Sequence, residues 1–148
     1  MTLGPITQLG YLPDDLDAAA TVWTKIGEGP FTKMAGVTMP ATMNGQAVEM
    51  KIDLALAYQG DIQIELIKPL CDSPSPYLKN KRAGIWGAHN TQFTVPDLDA
   101  AIAQCEAAGM EMACEITRAR RAISICWARP DGLNSPRPMR ASLCFLAR

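Results

Sequence analysis

Two stretches of the 148-residue chain repeat each other at a constant offset of 82 positions. DDLDAAATVWTKIG (14–27) aligns with PDLDAAIAQCEAAG (96–109). The identical pairs are Asp15/Asp97, Leu16/Leu98, Asp17/Asp99, Ala18/Ala100, Ala19/Ala101 and Gly27/Gly109. Each stretch predicts one helix, because an aspartate can cap its first turn, apolar residues recur at helical spacing and a glycine follows its last turn. A repeated unit usually cannot bury its apolar face alone, so the two copies should pack together.

Strand-like segments flank both predicted helices and complete the repeat. One precedes each helix, at 6–12 and 90–95. Three follow each helix, and their ranges are 30–38, 51–59 and 61–68 in the first half and 110–117, 122–128 and 141–147 in the second. Residues 35–50 have the least regular pattern, and we expect a mobile loop over the site there. Each half is therefore predicted to be β-α-β-β-β.

Together the two halves predict one α+β domain over residues 1–148. Module one spans about 5–68 and module two about 88–148, and 69–87 is the linker, with three prolines and two glycines. We expect the tandem βαβββ modules to form a cupped, partly open mixed sheet with the helices outside.

An acidic residue lies in the middle of one of these apolar strands, GDIQIELIKP (60–69). Ile62, Ile64 and Leu66 alternate with Gln63 and Glu65, so the two sets lie on opposite faces of the strand. If the apolar set packs under the helix, Glu65 points into the concave face. A carboxylate there is costly unless it is paired, hydrogen-bonded or bound to a metal, which predicts a functional site. The alternative is a strand whose polar face meets solvent.

Composition and charge exclude several classes of protein. The formal net charge is −1, so we expect neither nucleic acid nor a membrane as a partner. No apolar run reaches the roughly 18 residues that span a bilayer, and the N-terminus lacks a signal-peptide pattern; we expect a soluble, cytoplasmic protein. The five cysteines are odd in number and lack C-x-x-C spacing, so neither a disulfide framework nor a structural zinc site is expected.

The last segment, 118–148, differs in charge from the rest of the chain. It carries seven of the eight arginines and one acidic residue, a net charge of +6, whereas residues 1–117 carry −7. Three hypotheses stay open: a basic rim that binds an anionic substrate, a divergent or frame-shifted tail, and a solvated basic edge.

Four segments in this order resemble the vicinal-oxygen-chelate superfamily: QLGYLPDDLDAA, GDIQIELIKP, DSPSPYL and GAHNTQFTVPDLDAA. That superfamily includes glyoxalase I, methylmalonyl-CoA epimerase, extradiol dioxygenases, and fosfomycin- and bleomycin-resistance proteins. The chain is most similar to the glyoxalase and epimerase branch. The resemblance implies a divalent metal (Zn, Ni, Mn or Fe) in the concave site, with ligands from the first and last strand of each half.

Carried onto this sequence, the ligand positions are Gln8, Glu65, Asn90 and Cys144. Glu65 matches the family. The first and third positions are usually histidine and the fourth is usually glutamate, so this chain replaces strong metal ligands by two amides and a thiol. His89, the single histidine, lies one residue before Asn90. Strand alternation predicts that it points away from the cavity unless a bulge shifts the register.

The resemblance implies a glyoxalase- or epimerase-like lyase or isomerase that acts on a small carbonyl or acyl compound. Glu65 would be a metal ligand or general base, with Gln8 and Asn90 as donors to an enolate oxygen. Phe31, Tyr77 and Trp86 are the predicted substrate contacts, and the family implies a homodimer. One alternative is a non-catalytic protein that sequesters a small ligand, as the bleomycin-resistance members do. Another is a structural subunit whose cavity is filled by side chains.

Overall fold

The computed structural model describes residues 3–84, 86–117, 122–128 and 140–147, with side chains as far as Ile116. The strands are β1 (Ile6–Leu12), β2 (Thr32–Met43), β3 (Gln46–Gln59), β4 (Ile62–Pro69), β5 (Gly87–Thr94), β6 (Glu111–Thr117), β7 (Ala122–Ala128) and β8 (Arg140–Ala147). The helices are α1 (Leu16–Lys25), α2 (Leu78–Ala83) and α3 (Leu98–Ala107). The β-α-β-β-β order of both halves is as predicted, and α2 is an additional helix in the predicted linker.

The strands form one mixed sheet that curls into a cup. Their hydrogen-bonded order is β1-β4-β3-β2-β6-β8-β7-β5, and β5 pairs back onto β1. The β1/β4 and β6/β8 pairs are parallel and the others antiparallel. The predicted α+β class and cupped mixed sheet are confirmed. Because β1 lies between β4 and β5, the first strand brings the two halves into one sheet.

The prediction of a mobile loop over 35–50 is wrong. This segment forms most of the antiparallel hairpin of β2 and β3, in register from Met39 opposite Met50 to Met43 opposite Gln46. Asn44 and Gly45 form its two-residue turn, and both have positive φ, 49° and 75°. An Asn-Gly pair favours this turn, because both residues adopt left-handed backbone at low cost. The sequence therefore held a hairpin signal, which the absence of strict alternation around it obscured.

The two faces of the sheet pack against different partners. The helix cluster lies between the sheet and α1, and the inner cluster lies on the concave face. Neighbouring residues Leu66 and Ile67 belong to the helix cluster and the inner cluster respectively, as the alternation of a strand requires. The helix cluster is Leu16, Ala20, Ala55, Ile64 and Leu66, with Leu9, Tyr11, Ala19, Trp23, Phe31 and Ile62 around it. The inner cluster is Leu12, Met39, Ala41, Met50, Ile52, Leu54, Ile67, Tyr77, Cys114 and Ile116.

Both repeated helices begin and end as the sequence predicts. The carboxylate of Asp15 accepts a hydrogen bond from the backbone N–H of Ala18 at 2.8 Å, and Asp97 accepts one from Ala100 at 3.0 Å. These bonds satisfy backbone donors that have no partner within the helix. Gly27 and Gly109 follow the last turns with φ of 101° and 83°, a backbone conformation that glycine adopts without strain.

Among the described residues, none of the helices combines the length and the apolar character needed to cross a membrane.

Candidate functional site

The strand register brings three of the four predicted ligand positions onto the concave face. Gly10 of β1 is paired with Glu65 of β4 on one side and with Asn90 of β5 on the other. Gln8, two residues earlier on β1, therefore points to the same face. Ile62, Ile64 and Leu66 of β4 point to the opposite face, against α1. Gln8 and Asn90 are each 7% exposed, and Glu65 is half-buried.

Gly10 leaves room on this face for the side chain of Asn90. A Cβ atom added at Gly10 would lie 2.0 Å from Asn90 Oδ1 and 2.6 Å from its Cγ. Real Cβ atoms do not approach other atoms this closely, so the asparagine amide lies directly over the glycine. Glu65 and Asn90 are two strand spacings apart, about 10 Å between their backbones, and no side chain of β1 separates them at this level.

A chain of hydrogen bonds links Gln8 to the exposed side chain of Tyr58, near the end of β3. Gln8 Nε2 donates to Gln63 Oε1 at 2.7 Å, and Gln63 Nε2 donates to the hydroxyl of Tyr58 at 2.6 Å. Gln63 is opposite Gln8 in the parallel pair and opposite Tyr58 in the β3/β4 hairpin. Gln92 of β5 lies on the other side of Gln8. The row of the concave face that contains Gln8 is therefore lined by side-chain amides and a phenol.

A bulge in β5 changes the predicted position of His89. The register shifts from Gly10 opposite Asn90 to Tyr11 opposite Ala88, which leaves His89 as an extra residue. Its ring therefore does not point away from Asn90. His89 Nδ1 lies 3.3 Å from Asn90 Oδ1, and the ring contacts that of Tyr77, a member of the inner cluster, with 5.1 Å between the ring centroids. A bulge adds one residue to a strand and so places two consecutive side chains on similar sides.

The surroundings of His89 favour an uncharged ring. The residue is 1% exposed, and its Nε2 lies 3.3 Å from the carbonyl oxygen of Pro76. Burial lowers the pKa of His89 below its usual range, although its contacts with Asn90 and Pro76 partly oppose that shift. Desolvation disfavours the charged form of histidine, so the imidazole is neutral at neutral pH.

The described donors do not fit the divalent metal that the resemblance implies. In the part of the chain with described side chains, no three His, Cys, Asp or Glu residues come together as a metal site. Gln8 and Asn90 contribute neutral amides, which are engaged with Gln63 and His89. One carboxylate and two amides form a weak set for zinc, nickel or iron, which prefer imidazole, thiolate or several carboxylates.

The fourth predicted ligand, Cys144, is described by its backbone alone. It lies on β8 opposite Ser124 of β7, which in turn is opposite Gln92 of β5. This register places Cys144 in the same row of the sheet as Gln8. Its side chain, and the hypotheses for the arginines of 118–148, lie outside the described residues.

The three predicted substrate contacts are found in three different places. Phe31 packs with the helix cluster and lines a groove of about 310 Å³ beside α1, on the opposite face of the sheet from Glu65. Tyr77 is buried in the inner cluster against His89. Trp86 is 39% exposed and precedes β5. Of the three, Tyr77 is the residue that packs with the inner cluster on the concave face.

Sequence reasoning did not assign Gln63, Gln92 and Tyr58 to the site. Gln63 shares the strand face of Glu65, and Gln92 shares that of Asn90, so period-2 alternation was sufficient to find both. Tyr58 follows from the hairpin about Gly60, since that turn sets Tyr58 opposite Gln63. The hydrogen bond between Gln8 and Gln63 could not be found this way, because β1 and β4 are distant in sequence and pair in parallel.

The cupped sheet, its outer helices and the polar face that both halves share define a protein of the vicinal-oxygen-chelate type. Residues 7–127 match the family model described as the glyoxalase/bleomycin resistance protein/dioxygenase superfamily. The match covers most of the chain, and the chain belongs to this superfamily. A comparison with curated proteins gave no significant match.

Proposed function

We propose that this protein binds a small organic molecule on the concave face, between Glu65 and Asn90, without a metal. The observation that carries this proposal is the strand register at Gly10, which brings the Glu65 carboxylate and the Asn90 amide onto one concave face, on either side of a residue with no side chain. Superfamily membership supports a small-molecule ligand. The weak ligand set supports binding through hydrogen bonds rather than through metal coordination.

The level around Gly10 has a polar side and an apolar side. Gln8 and Gln63 lie toward the exposed side chain of Tyr58, and the inner cluster, which includes Tyr77, lies at the other end. Ligand sites are commonly apolar, with a few well-placed polar groups that fix orientation. This arrangement suits a compact molecule that has one polar end and an apolar body.

A thermal-shift screen with a panel of small carbonyl, hydroxyl and aromatic compounds tests this proposal. A ligand at 100 times its Kd stabilises the folded state by about 2.7 kcal/mol. Glu65→Gln should reduce the shift, whereas Glu49→Gln, at an exposed position of β3, should leave it unchanged. Equal shifts in both variants would place the ligand elsewhere.

Glu65 favours a second candidate function, a lyase or isomerase of the glyoxalase or epimerase type. A half-buried carboxylate on a concave face can remove a proton next to a carbonyl, and an amide N–H can then donate to the enolate oxygen. Solvent deuterium exchange into a bound carbonyl or acyl compound, followed by NMR, tests this candidate. Exchange that needs Glu65 supports an enzyme, and binding without exchange supports sequestration.

The absence of a metal requirement has its own test. Zn²⁺, Ni²⁺, Mn²⁺ and Fe²⁺ should each leave the melting temperature of chelator-treated protein unchanged, because the proposal involves no metal coordination. A stoichiometric metal together with a stabilising shift would contradict metal-independent binding.

A homodimer and a cytoplasmic location remain predictions. Two exposed apolar side chains, Val22 of α1 at 59% and Ile26 immediately after α1 at 69%, are available for a contact between copies of the chain. Sedimentation equilibrium across a range of concentrations distinguishes a dimer from a monomer.

A further inference from the structure

His89 lies between two groups that, as placed, both accept hydrogen bonds. Its Nε2 is 3.3 Å from Pro76 O, and its Nδ1 is 3.3 Å from Asn90 Oδ1. Both are oxygens without a proton. Within the described residues, these two contacts are the ones that the ring nitrogens make. The ring is 1% exposed, so water does not provide a hydrogen-bond donor in place of either oxygen.

A neutral imidazole has one N–H and one bare nitrogen. The Pro76 oxygen is a backbone carbonyl and can only accept, so the N–H belongs on Nε2. Nδ1 then has a lone pair and requires a donor. Asn90 can provide one, because its side-chain amide carries N–H₂ at one end and oxygen at the other. The two ends have nearly the same shape, and their order follows from their partners.

An imidazolium would satisfy both oxygens, since both of its nitrogens donate. That alternative places a positive charge on a ring that is 1% exposed and packs against Tyr77 of the inner cluster. Neither of the ring's hydrogen-bond partners is charged. A buried charge without a counter-charge is far more costly than an amide turned end for end. The neutral ring with Nε2–H is therefore the favoured state.

We propose that His89 is a positioning residue that holds the Asn90 amide with Nδ2 toward the imidazole and Oδ1 toward the concave face. The inference rests on the proposed function and narrows the ligand class. With Oδ1 outward, the Asn90 amide and the Glu65 carboxylate both contribute hydrogen-bond acceptors to the concave face. The site then selects a molecule that donates a hydrogen bond, through a hydroxyl or N–H group, over an otherwise equal molecule that can only accept.

The tautomer of His89 is directly measurable, because the chain has one histidine. Long-range ¹H–¹⁵N correlation on uniformly labelled protein at pH 7.5 should show the Nε2–H tautomer. An Nδ1–H tautomer or an imidazolium would overturn the assignment. Asn90→Asp is the matched variant, since it keeps the shape and removes the N–H₂ donor. It should move the proton to Nδ1 or charge the ring, and an unchanged Nε2–H spectrum would overturn the role of Asn90.

Phenol and anisole provide a separate test of the ligand class. Anisole has a methyl group in place of the hydroxyl proton of phenol, so it can accept a hydrogen bond but cannot donate one. Phenol should stabilise the wild-type protein in thermal-shift assays more than anisole does. An equal or larger shift with anisole, or no shift with phenol, would overturn the donor preference. The tautomer measurement needs no ligand, so failure of the proposed binding function and failure of the His89 assignment give different results.

Discussion

Replacing Gly10 by alanine tests the geometry on which the candidate site depends. The new Cβ would lie 2.0 Å from Asn90 Oδ1, 2.6 Å from Cγ and 2.9 Å from Nδ2. The φ of Gly10 is not in the left-handed region, so its backbone accepts alanine. The destabilisation must therefore come from the contact with Asn90 rather than from backbone strain.

The structure sets the size of the effect. Asn90 is 7% exposed and cannot simply rotate into water. Moving its amide breaks the contact with His89 Nδ1 and leaves a buried polar atom without a partner, which costs about 1–3 kcal/mol. Forcing a methyl group into a filled space adds about 1–3 kcal/mol. We expect the two effects together to lower the free energy of unfolding of Gly10→Ala by about 2–6 kcal/mol.

Urea unfolding followed by tryptophan fluorescence measures this free energy, and a double-mutant cycle identifies its source. In an Asn90→Ala background the obstructing amide is gone, so Gly10→Ala should be neutral or stabilising by about 0.4–1 kcal/mol, the usual effect of removing glycine flexibility from the unfolded chain. The two substitutions should therefore be coupled by more than about 1 kcal/mol. Additive effects would refute the packing of Asn90 over Gly10.

Three further predictions concern stability. Because burial lowers the pKa of His89 below 6.5, the unfolded chain binds a proton at a higher pH than the folded protein does. The free energy of unfolding should therefore be highest above pH 6.5 and fall below it by up to about 1.4 kcal/mol per pH unit. Urea titrations from pH 7.5 to 5 should show a flatter profile for His89→Gln, and equal slopes would contradict a buried neutral ring. Leu66→Ala, at a fully buried position of the helix cluster, should lower the free energy of chemical unfolding by about 2–5 kcal/mol. The control Val22→Ala, on the exposed face of α1, should change it by less than about 0.5 kcal/mol. Gly45→Ala should cost about 1 kcal/mol, since φ is +75° there, and no loss of melting temperature would argue against the Asn44–Gly45 turn.

Local signals were sufficient for most of the fold. Asp15 and Asp97 at the helix starts, with glycines at the ends, defined both helices, because caps act over one turn and need no distant partner. The first and last residues of β1 and β6 were predicted closely, because each strand is a short apolar run between turn residues. The β2/β3 hairpin was missed although Asn44 and Gly45 signal it. Helix α2 lies among prolines and glycines, where its single turn and a half has no apolar periodicity to detect.

The candidate site was only partly predictable. Alternation alone placed Glu65 on the face opposite Ile64, and the repeat offset linked Gln8 with Asn90. The position of His89 could not be predicted, because a bulge is a property of two paired strands and leaves no fixed pattern in either one. Phe31 stays a predicted substrate contact, and its ring packs with the helix cluster rather than on the concave face.

The amino-acid sequence by itself determined two similar βαβββ units and the face of each strand that holds polar groups, because caps, turns and alternation depend on residues close together in the chain. Only the tertiary structure decided which polar groups meet. The parallel pairing of β1 with β4, the bulge opposite Gly10 and the seating of Asn90 between that glycine and His89 all depend on contacts between distant segments, and such contacts are set by the packing of the whole sheet.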